Sequence, residues 1–225
     1  ECEQCHGPGS DHIGGPSKDN IQKDTSKELC GSCHFRDSQH RIAASGGLIK
    51  HHEQYDELIN SPHRFMDCGQ CHDPHKSTVN ELGGLTDGAD CTKCHGDVVV
   101  KVPAMADHDC NVCHMPKASK SAVKTLEFDK EDDTGALGDI SSHTFRINTN
   151  PDAMMFTEDG KFVALDADGH AIVTADFACA GCHNGDEASE QTVAWMFANS
   201  AIVHTGAPLV DVGEERVLAS MPTRG

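Results

Sequence analysis

Six short stretches of this chain carry two thiols and an imidazole at one fixed spacing. Cys2 and Cys5 are followed by His6, Cys30 and Cys33 by His34, and Cys68 and Cys71 by His72. Cys91 and Cys94 are followed by His95, Cys110 and Cys113 by His114, and Cys179 and Cys182 by His183. The pattern C-x-x-C-H thus consumes all 12 cysteines. A lone C-x-x-C also serves zinc or thiol redox chemistry, but zinc takes ligands in fours and thioredoxin-like motifs come one to a βαβ unit. A disulfide framework has no need of a histidine after every second cysteine. C-x-x-C-H is the attachment pattern of c-type haem. Two thiols add to the vinyl groups of the macrocycle, and the next residue lies beneath the iron, where its imidazole becomes the proximal ligand. The sequence therefore predicts six c-type haems with His6, His34, His72, His95, His114 and His183 as proximal ligands.

The second axial ligand separates an electron conduit from an enzyme. Ten of the 16 histidines lie outside the motifs, where average usage would place about five in a whole chain of this length. The surplus predicts a second imidazole at every iron, which leaves no open coordination site. His12, His52, His63, His108, His143 and His204 are the leading candidates. His51 and His52 are adjacent and point to different sides; one of them should ligate, His52 by preference. His75, in "CHDPH", is a further candidate. His108 stands two residues before Cys110, too close to reach the far side of that haem, so it is expected to serve a neighbour. His12, beyond the Gly7-Pro8-Gly9 turn, is likewise expected to serve a haem other than the one held by His6. His40 and His170 are read as non-ligands, with His170 exposed beside Asp168-Gly169. Methionine, of which there are 7, is the alternative ligand and would raise the potential.

Elements must hold these groups, and the composition says what kind. Only 37% of the 225 residues are hydrophobic and 4% aromatic, thin material for a protein-only core. Dividing 225 residues by six motifs gives 37.5 residues per haem, so the haems must nearly touch. The expected architecture is haem-cored: mostly loops with short α-helices, turned often by 21 Gly and 9 Pro. Residues 1–118 read as a five-haem block. Residues 119–225 read as a charged connector, a small β-meander, the sixth haem and a C-terminal tail, the whole forming one continuous haem-wrapped unit. The meander is placed at 145–178, where Asp159-Gly160 and Asp168-Gly169 break short apolar runs. Val193, Met196 and Phe197 have helical spacing, with Gly206 as a stop.

The chain is acidic, 18 Lys+Arg against 36 Asp+Glu, a net charge of −18. Phosphate backbones want the opposite sign, so nucleic acid is excluded as a partner. The acid serves solubility, or docking to basic redox partner proteins or to mineral acceptors. No apolar run approaches the length of a membrane span. Covalent haem attachment is completed outside the cytoplasmic membrane, which makes an extracellular location the expectation and the periplasm the alternative.

The stretches "ECEQCHGPGSDH", "QYDELINSPHRFMDCGQCHDPHKS" and "DISSHTFRIN…DFACAGCH" resemble segments of multihaem c-type cytochromes of metal-respiring bacteria and archaea, in particular the extracellular cytochromes that polymerise into nanowires. The resemblance implies bis-histidine haems in stacked and T-shaped contact, a homo-oligomeric helical filament, and a distal histidine that comes from the next subunit. Three function classes follow. An electron conduit, as filament subunit or discrete carrier, fits six motifs ending in His and a surplus of distal candidates. A multihaem reductase of nitrite or a sulfur oxyanion needs an iron with an open position. A purely structural haem protein is the third. The expectation is an electron-transfer protein with no catalytic residues.

Overall fold

A computed structural model describes residues 2–36, 40–76, 84–121, 126–128, 135–183 and 193–208. Loops dominate it, joined by short helices and small sheets, as a haem-cored chain requires.

Each motif opens on a single helical turn. In a helix, positions three apart share a face and the next residue follows the same curve. Both cysteines of a motif therefore point one way, and the histidine closes the turn. The histidine N–H donates to the carbonyl of the first cysteine in each of five motifs: His6 to Cys2 at 3.0 Å, His34 to Cys30 at 3.0 Å, His72 to Cys68 at 2.8 Å, His95 to Cys91 at 2.9 Å and His183 to Cys179 at 2.9 Å. In the fifth motif the turn is the helix Cys110–His114 itself. Polar residues just upstream start several of these turns. Ser26 accepts from the Leu29 N–H ahead of Lys27–Gly31, and Asp90 accepts from Thr92 ahead of Cys91–Lys93. Asp67 and Gln70 form a reciprocal capping box around Cys68–Cys71.

The apolar core is small and lies away from most motifs. Ile42, Ala44, Leu48 and Ile49 pack with Ala118, Leu137, Met155, Phe156, Val163, Val173, Phe177 and Phe197. The strand Leu48–Lys50 pairs antiparallel with Ala44–Ser45 and parallel with Ser119–Lys120, so this core ties the early chain to the later one. Around the first, fourth and fifth motifs the large apolar side chains Ile13, Val98, Val99 and Val112 lie at the surface.

Both Asp-Gly turns form, with Gly160 and Gly169 at φ +66° and +78°, where only glycine is unstrained. Each is closed by one bridge, Phe156 with Val163 and Leu165 with Ala171, rather than by a long meander. The ladder in this region is parallel, Ile147–Asn148 with Val173–Thr174. The expected connector holds an antiparallel strand pair, Leu126–Phe128 with Gly135–Leu137; its charged composition hid the alternation. Val193–Ser200 and Ile202–Thr205 are helical, and Gly206 in the left-handed region ends the second.

Candidate haem-binding site

The decisive geometry is between imidazole rings. Five of the six motif histidines face a second histidine at nearly one spacing. His6 faces His75 at 6.0 Å between ring centres, and His34 faces His52 at 5.8 Å. His72 faces His143 at 6.0 Å, His95 faces His63 at 6.0 Å, and His114 faces His204 at 6.1 Å. Two imidazoles that clasp one metal ion put about 4 Å between their ligating nitrogens, with each ring centre a ring radius further out, so the centres stand about 6 Å apart. The residues present fit an axially ligated iron at these five places.

Tautomer control supports the same fit. His6 Nδ1 lies 2.9 Å from the Gln22 carbonyl, His114 Nδ1 2.9 Å from the Phe145 carbonyl, and His204 Nδ1 3.0 Å from the Val99 carbonyl. A carbonyl only accepts, so the proton sits on Nδ1 and Nε2 is left with its lone pair for a metal. His34 Nδ1 faces Gln54 Oε1 at 3.3 Å to the same effect. Burial favours the neutral, ligating form elsewhere. It lowers the pKa of His63 and His72, and brings His143 down to about 4, with His72 as a further cause.

His183 meets a different ring. The Trp195 indole lies 5.3 Å from it at an interplanar angle of 47°. The remaining histidines have other engagements. His12 Nδ1 contacts Asn20 Oδ1 at 3.0 Å and the Ser17 carbonyl at 3.2 Å, inside its own turn. His51 packs edge-on against His52 at 4.7 Å, and its Nε2 faces the Arg36 guanidinium at 2.6 Å. His108 is exposed. Among the described residues, the structure brings none of His12, His51 and His108 to a motif histidine. His40 binds Asp56 at 3.1 Å. His170, expected to be exposed, is half-buried because Arg146 contacts its Nδ1 at 3.1 Å while bridging Asp166 and Asp168, each at 3.1 Å.

Phe145 links three of the centres. Its carbonyl holds His114, its ring packs edge-on against His63 at 4.5 Å, and it stands 6.2 Å from the His143 ring. Its φ of +59° is uncommon for an aromatic residue and marks a position fixed by its surroundings. The motifs are themselves neighbours. The Lys27–Gly31 helix packs on Cys68–Cys71, which packs on Asp87–Ala89 just before the fourth motif, and Cys110–His114 packs on Ala175–Cys179. The Cys68 thiol is raised to about 12 by burial and then by Cys30, and burial followed by Cys110 raises that of Cys91. Burial, then Cys113, raises Cys179 to about 12.

A family model for a doubled CXXCH motif matches residues 61–100. Over 134 residues, 53% of this chain and 36% of the relative, the sequence is 25% identical to the multiheme cytochrome MtrA of Shewanella baltica (strain OS185). These findings support a multihaem c-type cytochrome. The fold is similar to that of the Wolinella succinogenes octaheme sulfite reductase MccA, form II, with a TM-score of 0.53 and 18% identity over 80% of this chain and 34% of that one. The chain spans about a third of the length of each of these two proteins.

Sequence reasoning did not single out Glu53, Asp56, Glu57, Phe145 or Trp195. Glu53, Asp56 and Glu57 are all buried on the Gln54–Ile59 helix and the residue before it. Their i, i+3 and i+4 spacing was the available signal. Burial raises Glu53 to about 8 and Glu57 to about 7, with neighbouring carboxylates adding to both.

Proposed function

We propose that this chain is a hexahaem electron-transfer cytochrome of the cell exterior, working as the subunit of a conductive filament. The observation that carries the electron-transfer reading is the set of five motif histidines each facing a second imidazole at 5.8–6.1 Å. In this reading His75, His52, His143, His63 and His204 are the second ligands to the haems of His6, His34, His72, His95 and His114. When bound, each haem exchanges one electron between ferrous and ferric iron. The chain holds both ligands through backbone carbonyls and packing, so the cage changes little as charge moves.

Motif contacts suggest a route. The second motif touches the third, the third packs on Asp87–Ala89 just before the fourth with its Cys71 thiol near those of Cys91 and Cys94, and the fifth touches the sixth, while the Cys91 and Cys110 thiols join the fourth to the fifth. The first enters at the third, because His75 follows His72 by three residues on one segment. The path is then a line from second to sixth with a branch at the third. The filament reading draws on the resemblance to nanowire cytochromes and on the exposed His108, a histidine beyond the five pairs that one copy can offer to the next. Head-to-tail contacts of this kind make open helical polymers. Redox partner proteins or mineral surfaces would be the donor and acceptor. Among the described residues no helix is long and apolar enough to cross a membrane.

Two measurements test this. A pyridine haemochrome titration should give six haems per chain, and electron paramagnetic resonance should find low-spin ferric iron. Fewer than six haems, or a mostly high-spin spectrum, overturns the hexahaem bis-histidine reading. Electron microscopy and light scattering decide the rest: fibres support the filament, and a monodisperse monomer at high concentration leaves a discrete periplasmic or extracellular carrier. A reductase of nitrite or a sulfur oxyanion is the second reading. The Trp195 indole against His183, where the other motifs show an imidazole, favours it at the sixth motif alone. Turnover of sulfite or nitrite with a high-spin ferric component would establish it.

A further inference from the structure

The second ligands differ in what meets their other ring nitrogen. For His204 it is a neutral backbone carbonyl. His75 has the carboxylate of Asp73 3.6 Å from Nδ1, but its side chain is 73% exposed, where water screens the charge. His143 is buried. Its Nδ1 makes no hydrogen bond, yet with Nε2 on an iron that nitrogen must carry the proton, and a buried N–H needs an acceptor. Two acceptors face it. One is the carboxylate of Glu57, whose Oε2 stands 3.9 Å from Nδ1 and accepts the His143 backbone N–H. The other is the Ser141 carbonyl.

Glu57 is well fixed for such a role. It is 1% exposed, and its other oxygen accepts from Ser119 Oγ at 3.1 Å. Its backbone lies in the Gln54–Ile59 helix, and Ser119 belongs to the strand that joins the apolar core. A turn of the His143 ring that shortens this 3.9 Å separation would bring Nδ1 into hydrogen-bond reach.

We propose that Glu57 is the positioning residue of His143: its carboxylate takes the Nδ1–H hydrogen bond, orients the imidazole, and favours the ferric state of the haem shared by His72 and His143. A carboxylate on the far nitrogen raises the basicity of a ligating imidazole, which stabilises the higher-charged metal. The low dielectric of a buried site makes this stronger than the exposed Asp73–His75 pair. The haem so tuned belongs to the third motif, where the proposed route branches. This inference rests on the assignment of His143 as a second ligand.

The test uses the haem-loaded full chain and a spectroelectrochemical titration at alkaline pH, where the buried Glu57 carboxyl is ionised. Glu57→Gln keeps the size and the acceptor for Ser119 but removes the charge. One haem should become easier to reduce by about tenfold, about 59 mV for one electron, while the spectrum stays low-spin. Ser119→Ala removes one bond that fixes Glu57 but keeps the carboxylate, and should move the same haem in the same direction by less. An unshifted titration in a low-spin Glu57→Gln protein overturns the proposal and gives the Nδ1 proton to Ser141. If Glu57→Gln does not load haem, Glu57→Asp draws the carboxylate back by one methylene, and wild-type potentials there overturn the proposal equally. His143→Ala separates the two levels. If it leaves every haem six-coordinate, the ligand assignment fails; if it frees one haem while Glu57→Gln shifts nothing, only the role of Glu57 fails.

Discussion

Replacing His75 with alanine tests the ring geometry at a residue that the sequence offered only as a further candidate. His12 sits only six residues from His6, whereas His75 lies 69 positions away and yet faces it at 6.0 Å. If the two rings share an iron, His75→Ala leaves one haem in six without its second imidazole. About a sixth of the ferric signal should move from low to high spin, since axial ligation sets the state of each iron separately. The bond is also a cross-link, and its loss can be sized by loop closure. For the 70 residues from His6 to His75, the chain-entropy relation gives about 4 kcal/mol at 25 °C, against about 3 kcal/mol for the 19 residues from His34 to His52. Both are ceilings, because other contacts already shorten these loops. Among them is the bond from the Lys27 N–H to Asp67 at 3.0 Å. The difference is the firmer quantity: His75→Ala should lower the denaturation midpoint more than His52→Ala, by about 1 kcal/mol. His12→Ala should leave the spin state unchanged, since its ring holds Asn20 and Ser17 instead. The assay is electron paramagnetic resonance of the oxidised protein beside a urea titration. A high-spin signal from His12→Ala, with none from His75→Ala, would refute the pairing.

Two further outcomes are expected. A Cβ at Gly31, inside the second motif, would collide with the Tyr55 ring, so Gly31→Ala should cost about 1–3 kcal/mol by overpacking, read as a lower urea midpoint with the other haems unaffected; an unchanged midpoint would show that Tyr55 moves aside freely. Burial raises Glu53 from 4.5 to about 8, so the folded state binds its proton more tightly than the unfolded chain does. That contribution is fully present below pH 4.5 and is lost as the pH rises to about 8. Glu53→Gln should flatten this slope by a few kcal/mol at most, and an unaltered pH profile would place the proton elsewhere.

Much of the site is legible one residue at a time. Attachment through two thioethers needs two thiols at helical spacing, and the proximal imidazole must follow at once, so Cys2 through His6 and the five later motifs announce themselves without any fold. The loop-rich architecture with short helices also follows, because a chain with 4% aromatic residues that is expected to wrap large apolar discs has little material left for long elements. Asp159-Gly160 and Asp168-Gly169 are equally local, since a φ near +70° belongs to glycine whatever surrounds it.

Pairing is not local, and there only the tertiary structure decides. Which histidine faces His6 depends on how residues 68–76 lie against the first motif, a relation between segments with no shared periodicity. His12, expected to serve a haem other than that of His6, is turned by Gly7-Pro8-Gly9 into its own hydrogen-bonded loop with Asn20, while the chain that follows the capping box at Asp67 and Gln70 sets His72 and His75 against different histidines. The same holds for Glu57. An acidic helix at the surface of a chain with a net charge of −18 is the ordinary expectation. Only the packing of that helix turns Asp56 and Glu57 inward, Glu57 against Ser119 and His143, where a low dielectric makes a charge count.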